Sequence, residues 1–577
     1  MHTDTIDQNN VYSSISPIND EPWYNRRVFA VSAPAIADFD INPSEVFAAG
    51  DDASLNVRYW GGLDYPNDDE DHDVQLLWDG QVVASDRFDG IQERNLGTGI
   101  PANSLSNSHT VGFEVTADTE NGLDINYIES VALTYPRKFV AINDRLSFEA
   151  EEGQFQISGF SSGDIVAYVQ GASGLKQIIR SKITQQGGSY SIAFKGPRET
   201  ASYYVSTVDA VASAGVNLME SESVADITTN HVVITHPDFM GPELDQYVLD
   251  RSAFAAGDMT VVNINDIYRH YTGGVVDANV ITQFVSDLAA GNDLQSVLIV
   301  GGDSYDYKDY LGLSAISFVP AIYRPSGLFT QFTPVDALYG DINGDGIPEI
   351  PVGRLPARTL TEFVTIADKI IEFEARSSIK TSFLAADNTG PSERYDFTGA
   401  SESVASILND AGWSTDKAYL DLISIADARN NLLDALNDGV RLAVYTGHSA
   451  TRVWTAEGLF SINDAVALTN YDAPSAVVQW GCFNTYFSIP TEDSLGHAFM
   501  LSGNQGAALV LGPSGIIDAH AEEVFADLFH SELLEPGTNV GEAMIRAKQQ
   551  FAEDFNGNIF DILSNMTLLG DPLSSIQ

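Results

Sequence analysis

The stretch SAVVQWGCFNTYFS, residues 475–488, decides how the second half of the chain is read. It opens as an apolar run broken only by Gln479, the mark of a strand covered on both faces, and turns polar just past the only cysteine among 577 residues. A solitary thiol is ordinarily a small buried hydrophobe. Its position at the end of that run is what asks for another explanation.

Working outward, runs of the same kind recur as HVVITHP, MTVVNIND, SVLIVGGD, TSFLAADN, RLAVYTGH and GAALVLGP. Amphipathic segments such as DANVITQFVSDLAAG, TEFVTIADKIIEFEA, ESVASILNDAG and ADARNNLLDALNDG lie between most of them. Alternating strand and helix predicts an α/β region with parallel strands, because right-handed crossovers lay the helices on both faces. The number of strands predicts two such sheets or halves, residues 230–377 and 378–577, dividing near Ser378.

Ligands of open parallel sheets bind beyond the carboxyl ends of the strands. That rule selects His448 at the end of RLAVYTGH, Cys482 at the end of SAVVQWGC and Asp387 near the end of TSFLAADN. A free thiol titrates at about 8.5, so a cysteine nucleophile needs a neighbouring imidazole, and the imidazole needs an acid to hold it. His520 also follows a strand, in GPSGIIDAH, and position alone leaves it open as the partner.

Upstream, the pattern is all β. Residues 21–138 read as a β-sandwich or jelly roll, with DVQLLW and QVVASDRF flanking the Asp79-Gly80 turn pair, and HTVGFEV and DINYIESVALTY separated by a loop carrying Asn121-Gly122. Residues 139–229 read as a second, smaller β unit with a turn at Gly187-Gly188, and residues 1–20 as a flexible leader. The acidic loop DYPNDDEDHD, residues 64–73, reads as a solvated loop, with cation binding as the alternative.

Eighty acidic against 29 basic residues give a formal charge of −51, which excludes nucleic acid and anionic membrane surfaces as partners. One cysteine allows no internal disulfide. The beginning, MHTDTIDQNNVYSS, has neither a basic nor an apolar leader region, and no run of about 18 apolar residues follows, so no membrane insertion is expected. That leaves a cytosolic protein or one whose signal has been removed. Phosphate-loop, dinucleotide, serine-elbow and H-E-x-x-H motifs are all missing from the sequence.

Two blocks then resemble a known family. YTGHSATRVW followed by CFNTYF is similar to the Y-x-G-H-G-S-x-x-x-W and Cys-x-Asn-Gly-x-Phe blocks of the gingipain family of cysteine peptidases, peptidase family C25. VVNINDIYRHYTGGVVDANVITQFV, SVLIVGGDSYDY, DALYGDINGDGIPEIPVGRLPA and MTLLGDPL are similar to further family segments in the same order. The resemblance implies a caspase-like fold and a cysteine endopeptidase acting on protein or peptide substrates through a thioester. It also implies secretion or display at the cell surface. Cys482 matches the nucleophile, His448 the base and Asp387 the orienting acid. The N–H groups of Cys482 and Ser449 match the oxyanion donors, and Trp454 and Asn484 fall in the oxyanion and substrate cleft. Two positions depart from the family: Ser449 and Thr485 replace glycines, which is costly if either needs positive φ. Asp396 and Asp518 are the candidates for a carboxylate that reads a basic P1 side chain.

DINGDGIPE spaces Asp341, Asn343, Asp345 and Glu349 like positions 1, 3, 5 and 9 of a calcium loop, with Gly346 at the turn and the Ile347 carbonyl available. Position 12 is Val352, so an Asx-rich turn is the alternative reading. The resemblance favours a structural calcium, and Asp303, Asp306 and Asp309 are candidates for a second site. Two other functions remain open: an acyl transferase like the sortase-like relatives, in which an amine resolves the thioester, and an inert surface or adhesion protein. The β regions carry no catalytic constellation and are candidates for binding a pro-region, a substrate or another protein.

Overall fold

The computed structural model describes residues 1–14, 22–65, 70–119, 122–172, 174–213, 215, 222–255, 257–327, 330–390 and 395–577. Part of the acidic loop (66–69) and Asn121 of the expected turn lie outside them. The chain divides into two compact units, Met1–Met219 and Glu220–Gln577.

The strands of the first unit pair antiparallel in every sheet among the described residues. One sheet runs His2–Asp7, Leu123–Tyr135, Ala53–Gly61, Glu93–Ile100, with Arg26–Val31 also on Leu123–Tyr135. A second runs Ala35–Ile41, His109–Val115, His72–Trp78, Gln81–Phe88. Strict alternation of buried and exposed residues along Ala35–Ile41 turns Ala37, Phe39 and Ile41 into a core that includes Val57, Leu76, Phe113 and Val131. Asp79 and Gly80, at φ 48° and 77°, make the tight hairpin the sequence predicts, since both central positions of that turn need positive φ. Residues 145–207 add two smaller sheets around Phe155, Ile157, Phe160 and Tyr203.

The leader expected to be flexible differs from the reading at His2–Asp7, which is an edge strand on Leu123–Tyr135. Its polar sequence hid this. The Tyr135 hydroxyl donates to Asp4 Oδ2 at 3.0 Å, and the His2 ring meets Tyr135 edge-on at 5.5 Å, so the strand docks through polar contacts and its backbone ladder.

The second unit is built on one ten-stranded sheet in the order Met259–Asn263, His231–Thr235, Ser296–Val300, Val352–Leu355, Met566–Leu569, Ala507–Pro513, Ser475–Trp480, Leu442–Thr446, Thr381–Ala386, Ser414–Tyr419. The interior strands are buried throughout, as they must be when both faces are covered. Of the two arrangements expected, separate sheets are replaced by one sheet, and the halves are two sets of parallel strands that divide near Ser378. The strand near the end of the sequence, Met566–Leu569, inserts at mid-sheet, parallel to Val352–Leu355 and antiparallel to Ala507–Pro513, and joins two oppositely running parallel halves. Helix starts follow ordinary capping chemistry: Thr359, Ser424 and Asn539 accept backbone N–H groups at the first turns of Leu360–Ala375, Ile425–Asn437 and Val540–Asp554.

Candidate active site

Thr381–Ala386, Leu442–Thr446 and Ser475–Trp480 are neighbours in the sheet and parallel, so their carboxyl ends lie along one edge. Asp387 follows the first, His448 the second and Cys482 the third. The histidine strand is the central one, between acid and thiol.

Hydrogen bonds fix these three strand ends to one another. Asp387 N–H donates to the Thr446 carbonyl at 2.9 Å, and Gly447 N–H to the Trp480 carbonyl at 2.9 Å. The buried Asp387 carboxylate accepts the His448 N–H at 3.1 Å and the Asn388 N–H at 2.8 Å. Gly447 is the residue this packing permits: with φ 155°, a Cβ there would lie 2.3 Å from Asp387 Cβ and 2.6 Å from the Tyr445 hydroxyl. That hydroxyl donates to the His448 carbonyl, and the His448 ring meets Phe397 edge-on at 5.1 Å. The imidazole stands in the solvent-exposed part of the site.

The cysteine turn is tied down as closely. Ser449 Oγ donates to the Cys482 carbonyl and accepts from Asn484 Nδ2, each at 2.8 Å, while Asn484 Nδ2 also reaches the Gly481 carbonyl at 2.8 Å. Phe483 sits at φ 62°, an unfavourable place for a residue with a Cβ, and its N–H donates to Gly515 O at 3.0 Å. Thr485 is buried and donates from Oγ1 to Gly512 O at 2.8 Å. Neither Ser449 nor Thr485 has positive φ; both use their hydroxyls to brace the turn, so the departures from glycine carry no backbone strain.

Cys482 is part-buried, and its Sγ lies 3.8 Å from the Ile517 carbonyl. Burial first, and then the charge of Glu522, push its thiol up to about 11. Burial also raises the Asp387 carboxyl, against the pull of the two N–H groups and of His448. Glu522 is the residue that sequence reasoning missed. It is buried, with its carboxyl raised well above the ordinary range by burial, against the opposing influence of the Gly481 N–H. Glu522 lines a narrow cavity with Tyr395, Phe397, Thr446, Trp480 and Ala519. A signal for it existed: Ala521, Glu522, Phe525, Ala526 and Phe529 share the buried face of one helix.

Three expectations need correction. Trp454 does not line a cleft; it is fully buried, stacked on Tyr445 at 4.5 Å and 3°, with Nε1 donating to Gln479 Oε1 at 2.8 Å, and so backs the histidine strand from within. Asp396 and Asp518 are exposed helix caps, accepting Gly399 N–H at 2.8 Å and the N–H groups of His520 and Ala521 at 3.1 and 3.0 Å. Neither is a buried pocket carboxylate. His520 is exposed on the same helix, with Nδ1 at 3.6 Å from Glu523.

Asp341, Asp345 and Glu349 each offer one carboxylate oxygen within 4.8 Å of the other two. Asp341 also accepts the N–H groups of Gly344 and Gly346, Asp345 that of Ile347, and Glu349 that of Ile342, while Asn343 turns its Nδ2 to Glu349. Asp303 and Asp306 are instead occupied by protein donors: Asp303 by Ser317, Tyr323 and the Ala321 N–H, and Asp306 by the N–H groups of Tyr310 and Leu311. With Asp309, they form no metal-holding group among the described residues.

The chain is similar to Gingipain R2 of Porphyromonas gingivalis (strain ATCC BAA-308 / W83), 29% identical over 227 residues, covering 37% of this chain and 27% of that protein. Lys-gingipain of the same species (strain ATCC 33277) is 25% identical over 181 residues, 31% of this chain and 10% of its own length. The chain thus spans about a quarter or less of the curated relatives it matches. The crystal structure of the Arg-specific cysteine proteinase gingipain R shares the fold, with a TM-score of 0.51 and 21% identity over 62% of this chain and 80% of that one. A complex of the pro- and mature domains of Porphyromonas gingivalis RgpB gives a TM-score of 0.50 and 22% identity over 60% and 79%. The sequence pattern of peptidase family C25 matches residues 225–577, nearly the whole second unit, and the chain belongs to that family.

Proposed function

We propose that the second unit is a cysteine endopeptidase in which Cys482 is the nucleophile and His448 the proton carrier. The observation that carries this reading is the alignment of Asp387, His448 and Cys482 at the ends of three adjacent parallel strands, cross-tied through Gly447, Ser449 and Asn484. Membership of family C25 supports it.

A thiol pushed up to about 11 rests protonated at neutral pH. His448 therefore acts as a base when the substrate carbonyl arrives: it takes the thiol proton as sulfur attacks, then gives it to the leaving amine. Water, activated by the same imidazole, resolves the thioester. Asp387 works through the His448 backbone, which it holds by the N–H, and its negative charge favours the imidazolium that forms. Oxyanion donors are assigned to the N–H groups of Cys482 and Ser449. Ser449 pairs with Trp454, and Thr455 N–H donates to His448 O at 2.9 Å, which makes the 449/454 rung a non-hydrogen-bonded one and leaves the Ser449 N–H outside that ladder. One such donor is worth about 3 kcal/mol in other enzymes.

We assign Glu522 to P1 recognition: the cavity it lines, about 10 Å³, must open to admit a side chain, and its buried Oε1, which has no hydrogen-bond partner among the described residues, favours one that donates hydrogen bonds or carries positive charge. We also assign a structural calcium to Asp341, Asn343, Asp345, the Ile347 carbonyl and Glu349; an all-oxygen donor set with three carboxylates suits a hard cation. A secreted or cell-surface setting and a protein or peptide substrate complete this reading. The test is product mass analysis of a cleaved peptide with and without a competing amine. Free acid products support hydrolysis, amine-capped products only in the presence of amine indicate a transferase, and intact peptide under all conditions supports an inert scaffold.

A further inference from the structure

In the first unit, far along the sequence from the peptidase chemistry, Asp64, Asp71 and Asp89 each bring one carboxylate oxygen within 4.8 Å of the other two. Asp71 organises the group. It is fully buried, and its Oδ2 accepts the N–H of Tyr65 at 3.2 Å and of Gly90 at 3.0 Å, stitching together the two segments that carry Asp64 and Asp89. A Cβ on Gly90 would lie 3.7 Å from Asp64 Cγ. The other oxygen, Asp71 Oδ1, is buried with no hydrogen-bond partner among the described residues. A buried carboxylate oxygen left unpartnered beside two more carboxylates is costly on both counts.

Protein cations do not relieve it. Nearby Arg87 is engaged with Glu70, Asp73 and Asp118, and among the described residues none of the three aspartates has an ion pair. His72, next in sequence to Asp71, spends its ring nitrogens on Asp124 and the Leu63 carbonyl.

We propose that Asp64, Asp71 and Asp89 bind a divalent cation of the calcium class. The donors are oxygens alone, which selects a hard cation over zinc or copper. Two oxygens bound on opposite sides of a calcium ion at about 2.4 Å stand about 4.8 Å apart, so the three fit one coordination sphere. The ion supplies the partner Asp71 Oδ1 lacks and ties residues 64–65 to residues 89–90.

The test is calcium titration of the chelator-treated full chain by calorimetry, followed by terbium luminescence, in a background carrying Asp341→Asn and Asp345→Asn to silence the other acidic loop. Asp64→Asn and Asp89→Asn alter exposed side chains and leave the core intact; Asp71→Asn alters the buried one. The expected result is one calcium equivalent in the background protein, lost or weakened at least tenfold in Asp64→Asn and in Asp89→Asn. No calcium equivalent in the background protein, or the same equivalent and affinity in the Asp64→Asn/Asp89→Asn double variant, overturns the proposal.

Discussion

Ser449 Oγ donates a hydrogen bond to the carbonyl of Cys482 at 2.8 Å and accepts one from Asn484 Nδ2 at the same distance, so a side chain from the histidine loop fixes the shape of the cysteine turn. Ser449→Ala removes both bonds. We expect a loss of about 1 kcal/mol in thermal or denaturant stability and a fall in kcat/KM of roughly tenfold as the turn loosens. Ser449→Gly gives no recovery, because position 449 does not need positive φ. A glycine variant faster than the natural serine enzyme would contradict this account of the loop.

Asp387→Asn keeps the size of the side chain but removes the charge and replaces one acceptor with a donor facing the N–H groups of His448 and Asn388. The expected effect is a fall in kcat of about 10²-fold or more with KM little changed, since the imidazolium is formed only during the reaction. Steady-state kinetics on one peptide substrate checks it. A change confined to KM would argue that Asp387 shapes the cleft instead.

The raised thiol has a pH signature. Burial favours the protonated sulfur in the folded chain, so alkylation of the free protein by iodoacetamide is slow at pH 7 and keeps rising past pH 9 towards about 11. An ordinary thiol levels off above about 8.5. The sign for stability follows: a proton held more tightly by the folded state adds stability at low pH, and that contribution is lost between about 8.5 and about 11. An alkylation profile levelling off below pH 7 would mean a resting thiolate–imidazolium pair.

Glu522→Gln tests the cavity. With Arg or Lys at P1, kcat/KM is expected to drop by about 10²-fold, whereas an apolar P1 side chain loses little, because only a cation needs the carboxylate. A peptide library read before and after the substitution gives the comparison. Equal losses across all P1 residues would make Glu522 a support for the Gly481 turn alone.

Much of this site was legible because a parallel sheet places ligands at strand ends, and strands buried on both faces announce themselves as apolar runs. Cys482, His448 and Asp387 came from that rule, and the Asp79-Gly80 hairpin from turn chemistry. Met566–Leu569 was readable as a strand, but its insertion between Val352–Leu355 and Ala507–Pro513 depends on contacts between remote parts of the chain. Trp454 stands in the same motif whether it faces a cleft or a core; stacking on Tyr445 decided for the core. Asp396 and Asp518 each precede a helical run, and cap chemistry was the better guide to them. His2–Asp7 was hidden because its strand is held by polar contacts rather than by an apolar face.

The central claim is a covalent intermediate on Cys482 whose formation depends on His448. Intact mass and peptide mapping after treatment with a peptidyl acyloxymethylketone measure it directly. The account predicts one adduct, on Cys482, absent in Cys482→Ala and formed at least 10²-fold more slowly in His448→Ala. A protein that stays unlabelled while correctly folded, or one that labels equally fast without His448, would contradict it.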